Sequence, residues 1–210
     1  MIITILTDNN DSWIIPYVDT LKDKIQERHT AHHVYDITDV QESDILFILS
    51  CENIITRKQL DLCGNNIVIH PSLLPKGRGW SPLAWQILEN SNRIPMSLFE
   101  ASECVDSGDV YMVDYIELRG SELNEELKQL QGKKTIDMAL SYINQYPMKG
   151  QSQKDSESTY YSKRDANSSE LDVHTSICDN FNTLRVVDND RYPAFFLRDG
   201  KKYIIKVYEV

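Results

Sequence analysis

Residues 65–79, NNIVIHPSLLPKGRG, constrain the fold of this chain more than any other stretch. Ile67-Val68-Ile69 is a β-branched apolar run and predicts a buried strand. The run turns polar at His70 and breaks at Pro71, which places His70 at the carboxyl edge of a sheet. In open α/β sheets that edge is where ligands bind. The loop that follows carries Pro75, Gly77 and Gly79 around two cations, Lys76 and Arg78. WSPLAWQILEN then has Leu83, Ile87 and Leu88 at helical spacing.

The rest of the chain repeats this alternation. Ile2–Leu6 predicts a strand and Trp13–Glu27 a helix, with Ile15, Val18, Leu21 and Ile25 on one face. The loop between them has no glycine, so it is no dinucleotide fingerprint. Asp11 or Ser12 is expected to cap the helix; the loop could also bring Asn9 and Ser12 to a ligand phosphate. His33–Tyr35 and Ile45–Leu49 predict two more strands, joined by an exposed acidic link, and Ser50–Asn53 follows at the ligand edge. A short helix near Arg57–Leu62, strands at Pro95–Phe99 and Val110–Glu117, and a helix over Ser121–Tyr146 complete the pattern. That helix should start at Ser121 and Glu122 and stop at Pro147. Strands alternating with helices imply a doubly wound, mostly parallel α/β sheet.

The composition changes after Pro147: residues 149–169 are rich in Ser, Lys and Asp and poor in aliphatics. This divides the chain into an α/β domain, 1–147, and an extended arm with a small C-terminal subdomain, 148–210. A helix is expected near Thr175–Asn182. A hairpin, Ala194–Arg198 with Lys201–Tyr208, turns on Asp199-Gly200.

Formal charge is −10, from 32 acidic and 22 basic residues, which disfavours gripping nucleic acid through its phosphates. The four cysteines have no metal-finger spacing, so no metal is expected, and free thiols suit a reducing compartment. No signal peptide and no membrane-length apolar run is visible, so the chain reads as cytoplasmic and off the membrane.

The segment Val68-x-His70-x-Ser72-Leu73-Leu74-Pro75 with Arg78-Gly79, followed by Val105-Asp106-Ser107-Gly108-Asp109, resembles the folate-dependent formyltransferases, whose signature reads Asn-x-His-x-Ser-Leu-Leu-Pro. The arm sequence 158–164, STYYSKR, and 191–196, RYPAFF, resemble motifs that follow the core in the sugar and methionyl-tRNA members. Lys76-Gly-Arg-Gly-Trp-Ser-Pro82 is closest to the bacterial nucleotide-linked amino-sugar N-formyltransferases of the pseudaminic-acid type. A methionyl-tRNA enzyme would carry a further basic domain beyond such a hairpin. One departure is plain: the family Asn two residues before the His falls on Val68.

The resemblance implies transfer of the formyl group of 10-formyltetrahydrofolate, a co-substrate, to the primary amine of a nucleotide-linked amino sugar, with a UDP-4-amino-4,6-dideoxy-hexosamine as the expected acceptor. His70 would be the base and Asp106 its orienting carboxylate. Ser50, Leu73, Arg78, Gly79, Glu100, Cys104 and Val105 would meet the folate. Asn9, Ser72, Lys76, Tyr160, Tyr161, Arg164, Arg191 and Tyr192 would meet the acceptor. Val68 has no side-chain donor, so the oxyanion must be met by protonated His70, Ser72, a backbone N–H or Asn53. Phe195 and Phe196 read instead as a small core. The rival readings are a formyltetrahydrofolate hydrolase and a non-catalytic binder of folate or nucleotide-sugar.

Overall fold

A computed structural model describes residues 1–210. In chain order the elements are β1 (Ile2–Leu6), α1 (Ile15–Gln26), β2 (Thr30–Val34), β3 (Ser43–Ile48), α2 (Arg57–Leu60), β4 (Cys63–His70), β5 (Arg78–Gly79), α3 (Pro82–Leu88), β6 (Arg93–Glu100), β7 (Val110–Glu117), α4 (Asn124–Gln145), β8 (Tyr160–Tyr161), α5 (Phe181–Val186), β9 (Ala194–Arg198) and β10 (Lys201–Ile205). The central sheet has the order β2-β1-β3-β4-β6-β7. Three pairings are parallel, β1–β2, β1–β3 and β3–β4. β6 runs against both β4 and β7, so the mostly parallel sheet holds one reversed strand.

Both faces of the sheet are covered, which is why its strands read as continuous apolar runs. Along β3 the side chains alternate. Ile45 and Phe47 enter the larger core under α1 and α4; Leu46 and Ile48 enter a smaller one with Leu6, Val40 and Leu60. Val18, Leu21 and Ile25 are the buried stripe of α1.

Several local expectations are corrected. No side chain caps α1; Pro16 stands in its first turn, and Ser12 Oγ instead reaches Ser50 Oγ at 3.1 Å. The acidic link between β2 and β3 is not wholly exposed, because Val40 and Ser43 are buried. Helix α4 begins at Asn124, with the Glu126 carboxylate accepting from Leu123 N–H, while Glu122 turns inward and is 2% exposed. The C-terminal helix is Phe181–Val186, later than its expected position. The hairpin turn is as expected, with Asp199 and Gly200 at φ 52° and 72°, the left-handed values that a two-residue type I′ turn requires.

The arm is stitched to the α/β sheet. Gln151 bridges Val110, and β8 pairs in parallel with β5, Arg78 opposite Tyr160 and Gly79 opposite Tyr161. A small core of Leu171, Leu184, Val187 and Ala194, with Phe181 and Phe196 against it, closes the C-terminal part.

Candidate active site

His70 ends β4 and is 8% exposed. Its ring sits between two oxygens: Nε2 lies 2.9 Å from the Gly77 carbonyl and 3.6 Å from Asp106 Oδ2. A carbonyl only accepts, so the first contact requires a hydrogen on Nε2. The neutral ring then keeps its lone pair on Nδ1.

The reversed strand explains how Asp106 arrives there. In the β4–β6 register Glu100 stands opposite Ile67, and Ser97 opposite His70. The loop after Glu100 must therefore climb three residues of strand, roughly 10 Å, to return to His70. It does so in a bend where Asp106 takes φ 53°, a left-handed value that Asp tolerates better than most residues. Gly79 N–H then donates to Asp106 Oδ2 at 2.8 Å, and Gln153 from the arm donates to the carbonyls of Asp106 and Gly108 at 3.0 and 2.7 Å. A Cβ on Gly108 would drive into the Glu100 carbonyl. Gly108→Ala is thus expected to displace the Asp106 bend, with a stability loss of about 1–3 kcal/mol and a fall in activity larger than stability alone gives. Chemical denaturation beside kcat checks this; an unchanged kcat would show that the bend does not set Asp106.

His70 and Asp106 open onto a cavity of about 660 Å³. Its lining includes the loop after β3, Ser50 to Asn53, the loop holding Val105 and Asp106, and Val68 and Phe99 of the sheet. It also includes Trp13, the start of α3, Asn124, Lys128 and Gln131 of α4, and Arg164. Among the residues expected at a site, His70, Asp106, Ser50, Gly79, Val105 and Arg164 line this cavity.

The others go elsewhere, for identifiable reasons. Arg78 is 3% exposed and is spent on the arm: its guanidinium donates to Gln153 at 2.7 Å, Asp155 at 2.9 Å and Tyr160 at 3.2 Å. Burial opposes its charge, but the bonds to Tyr160 and Asp155 hold its pKa above the ordinary value. Glu100 faces away from the cavity, where it accepts from Asn65, the Asn66 N–H and Tyr111. Ser72, Leu73, Lys76, Tyr160 and Tyr161 line a separate groove, on which Trp85 stacks with Tyr161. Cys104 is exposed, and its carbonyl is held by Ser102 and Ser107. Asn9 closes a local turn by accepting from Asp11 N–H. Arg191 and Tyr192 belong to a bend at 188–192, with Arg191 N–H on Asp188 and the Tyr192 carbonyl on Ser169.

The α4 wall was missed in the sequence, although Asn124, Lys128 and Gln131 follow helical spacing and so share a face. Also missed was the contact across the mouth: Lys163 pairs with Glu52 at 2.9 Å and lies 4.2 Å above the Trp80 ring. Cys51 lines the cavity too. Burial pushes its thiol up to about 12, so it is not a thiolate nucleophile at neutral pH.

The family model for formyl transferase matches residues 11–140. The chain belongs to the formyl transferase family. It is similar to the methionyl-tRNA formyltransferase of Finegoldia magna, 25% identical over 181 residues that cover 84% of this chain and 57% of that protein. It is also similar to that of Lachnospira eligens, 28% identical over 147 residues, 68% of this chain and 45% of that one. The chain thus spans about half the length of the curated relatives it matches. Among solved structures, a methionyl-tRNA formyltransferase from Clostridium thermocellum superposes with TM-score 0.82 over 100% of this chain and 92% of its own. A 4-N formyltransferase from Francisella tularensis gives 0.70 over 98% and 96%, and HypX from Aquifex aeolicus in complex with tetrahydrofolic acid gives 0.78 over 98% and 37%. Each is 18% identical and establishes a shared fold.

In this chain Val68 occupies the cavity wall between Ile48 and Phe99. Two of the alternative donors are committed elsewhere: Asn53 Nδ2 donates to Asp8 at 2.9 Å and Gly79 N–H is held by Asp106. Ser72 Oγ is buried with no partner and lies beside the other groove, outside this cavity. Of the candidates expected from the sequence, His70 is the one that lines the cavity beside Asp106. Because Val68 packs against the Leu46–Leu60 cluster, Val68→Asn is expected to leave an amide without a full set of partners. It should cost about 1–3 kcal/mol and not raise kcat. The check is kcat beside Tm; a clear rise in kcat at unchanged Tm would show that an amide was wanted there.

Proposed function

We propose that this chain transfers a formyl group from 10-formyltetrahydrofolate to a primary amine, and that the amine belongs to a nucleotide-linked amino sugar. The observation that carries the reading is the His70–Asp106 pair, 3.6 Å apart and aimed at a cavity, in a chain of this family. The cavity suits a flat, hydrogen-bonding ring on a tail. Its floor at Ile48, Val68 and Phe99 is apolar, and the loops at Ser50–Asn53 and Ala101–Asp106 bring backbone polar groups to the walls.

The co-substrate would supply a one-carbon acyl group at the oxidation level of formate. His70 takes the proton that the amine loses as it bonds to the formyl carbon, and gives a proton to the departing nitrogen. Asp106, 3.6 Å from Nε2, holds the ring in place. No metal is required for these steps, since the acid, the base and the counter-charge are all side chains.

The amino-sugar acceptor is supported by the Lys76–Pro82 sequence and by the net charge of −10, which is unsuited to a tRNA backbone. The folate reading is supported by the tetrahydrofolic acid in the related HypX structure. The protein is to be incubated with 10-formyltetrahydrofolate and, separately, UDP- and dTDP-linked amino sugars and methionyl-tRNA. Tetrahydrofolate release and product mass are followed. A formylated sugar supports the proposal. A formylated tRNA replaces the acceptor, release without any acceptor makes the chain a hydrolase, and no release at all leaves a binding protein.

A further inference from the structure

Arg164 is a partly buried cation without a carboxylate partner. Its guanidinium donates to the Val186 carbonyl at 3.2 Å and the Ser168 carbonyl at 3.1 Å. Its Nε is buried with no partner, and no carboxylate lies within ion-pair distance of it. The two fully buried arginines differ. Arg78 has Asp155, and Arg185 has Glu122. Burial lowers the Arg164 pKa with no opposing charge to restore it, but an arginine stays ionised at neutral pH. Taking such an ion partly out of water is unfavourable unless a counter-charge meets it. Arg164 also lines the cavity, as do Asn124, Lys128 and Gln131 of α4. Lys128 is already paired with Glu125 at 2.7 Å and approaches Asp188 at 3.6 Å, so the cation on the cavity wall without a carboxylate partner is Arg164.

We propose that Arg164 anchors a phosphate-binding subsite in this cavity, the counter-charge being supplied by the phosphate groups of the acceptor. Asn124 and Gln131, which line the same cavity, are neutral groups able to donate to phosphate oxygens. The guanidinium fork suits an oxyanion better than an ammonium does. The identity of the phosphate as that of a nucleotide-sugar rests on the proposed transfer reaction; the presence of the phosphate subsite does not.

The probes are inorganic pyrophosphate, UDP and tetrahydrofolate, bound to the unmodified full chain and to Arg164→Gln. Glutamine can still donate to the Val186 and Ser168 carbonyls but carries no charge. Pyrophosphate is expected to raise the Tm of the unmodified protein and to compete with UDP. Arg164→Gln should weaken both about tenfold or more, make the residual binding less sensitive to salt, and leave tetrahydrofolate affinity within a few-fold. Equal affinity for pyrophosphate and UDP in the two proteins would overturn the proposal. So would a loss confined to tetrahydrofolate, which would make the anion a folate carboxylate. If Arg164→Gln unfolds, the unmodified protein still decides: no Tm shift with millimolar pyrophosphate, or no competition with UDP, overturns it. Formyl transfer that is indifferent to Arg164→Gln would sink this subsite and leave the reaction standing. Arg164-dependent pyrophosphate binding without turnover on any amine would do the reverse.

Discussion

Replacing His70 with alanine is expected to lower kcat by about 10²–10⁴-fold, with tetrahydrofolate affinity changed only a few-fold. The ring is the one imidazole on the cavity wall, and a carboxylate adjoins it, Asp106 Oδ2 at 3.6 Å. In the proposed mechanism its loss removes the group that takes the amine proton. His70→Ala also leaves the Gly77 carbonyl without its 2.9 Å contact, so part of any loss could be structural. His70→Gln separates the two effects, because a glutamine amide can still donate to Gly77 but cannot exchange a proton at neutral pH. Both variants should lose turnover, and His70→Gln should keep more of the Tm. Near-normal kcat in folded His70→Gln would remove His70 from the proton pathway. A collapse of folate affinity in both would make it a binding residue. Asp106 acts through the ring, so Asp106→Asn should shift the pH profile of kcat as well as lower its plateau.

The strand end at His70 and the bend at Asp106 were legible because each is marked by its own neighbours, while the pairing of the two was only implied by the resemblance. A β-branched run ending in His-Pro fixes a strand end, and Asp-Ser-Gly-Asp fixes a bend. The type I′ turn at Asp199-Gly200 was legible for the same local reason. What the sequence withheld depends on pairings distant along the chain. The run Pro95–Phe99 reads as a strand in either direction, and only its register against Ile67–His70 shows that it is reversed. Arg78 looked like a free loop cation because its partners, Gln153 and Asp155, lie in the arm. That arm, poor in aliphatics, carries no periodic signal of being paired with the site loop. Glu100 looked like a cavity residue because it adjoins the Asp106 loop, but the loop turns back and leaves it on the far side. Glu122 looked like a helix starter. Its depth in the protein comes from Arg185, 63 residues later.

That pair should give the largest stability effect in the chain. Arg185 and Glu122 have side chains 1% and 2% exposed and meet at 2.9 Å. Arg185 Nε also donates to the Glu122 carbonyl at 3.0 Å, and Nη1 to Asn182 at 3.2 Å. Glu122 in turn accepts from the N–H groups of Arg119 and Gly120 at 2.6 and 3.0 Å. Burial acts to raise the Glu122 pKa, but those N–H bonds outweigh it and the value lies below the usual one. Glu122→Ala would leave a buried guanidinium with neutral partners and two backbone donors open. A loss of about 3–5 kcal/mol is expected, which is roughly 10 °C or more in Tm at this size, measured by urea denaturation at neutral pH. Arg185→Met should cost less, since the carboxylate keeps its backbone donors. The sign with pH follows from the depressed value: the folded state binds the proton less readily than the unfolded chain. The stabilisation is therefore fully present above the ordinary glutamate pKa, about 4.3, and is lost as pH falls through the lower folded value. Glu122→Gln should accordingly be less stable than the parent at pH 7, and the gap should narrow in acid. A gap that stays constant down to pH 3 would show that the Glu122 charge is not what binds α5 to the start of α4.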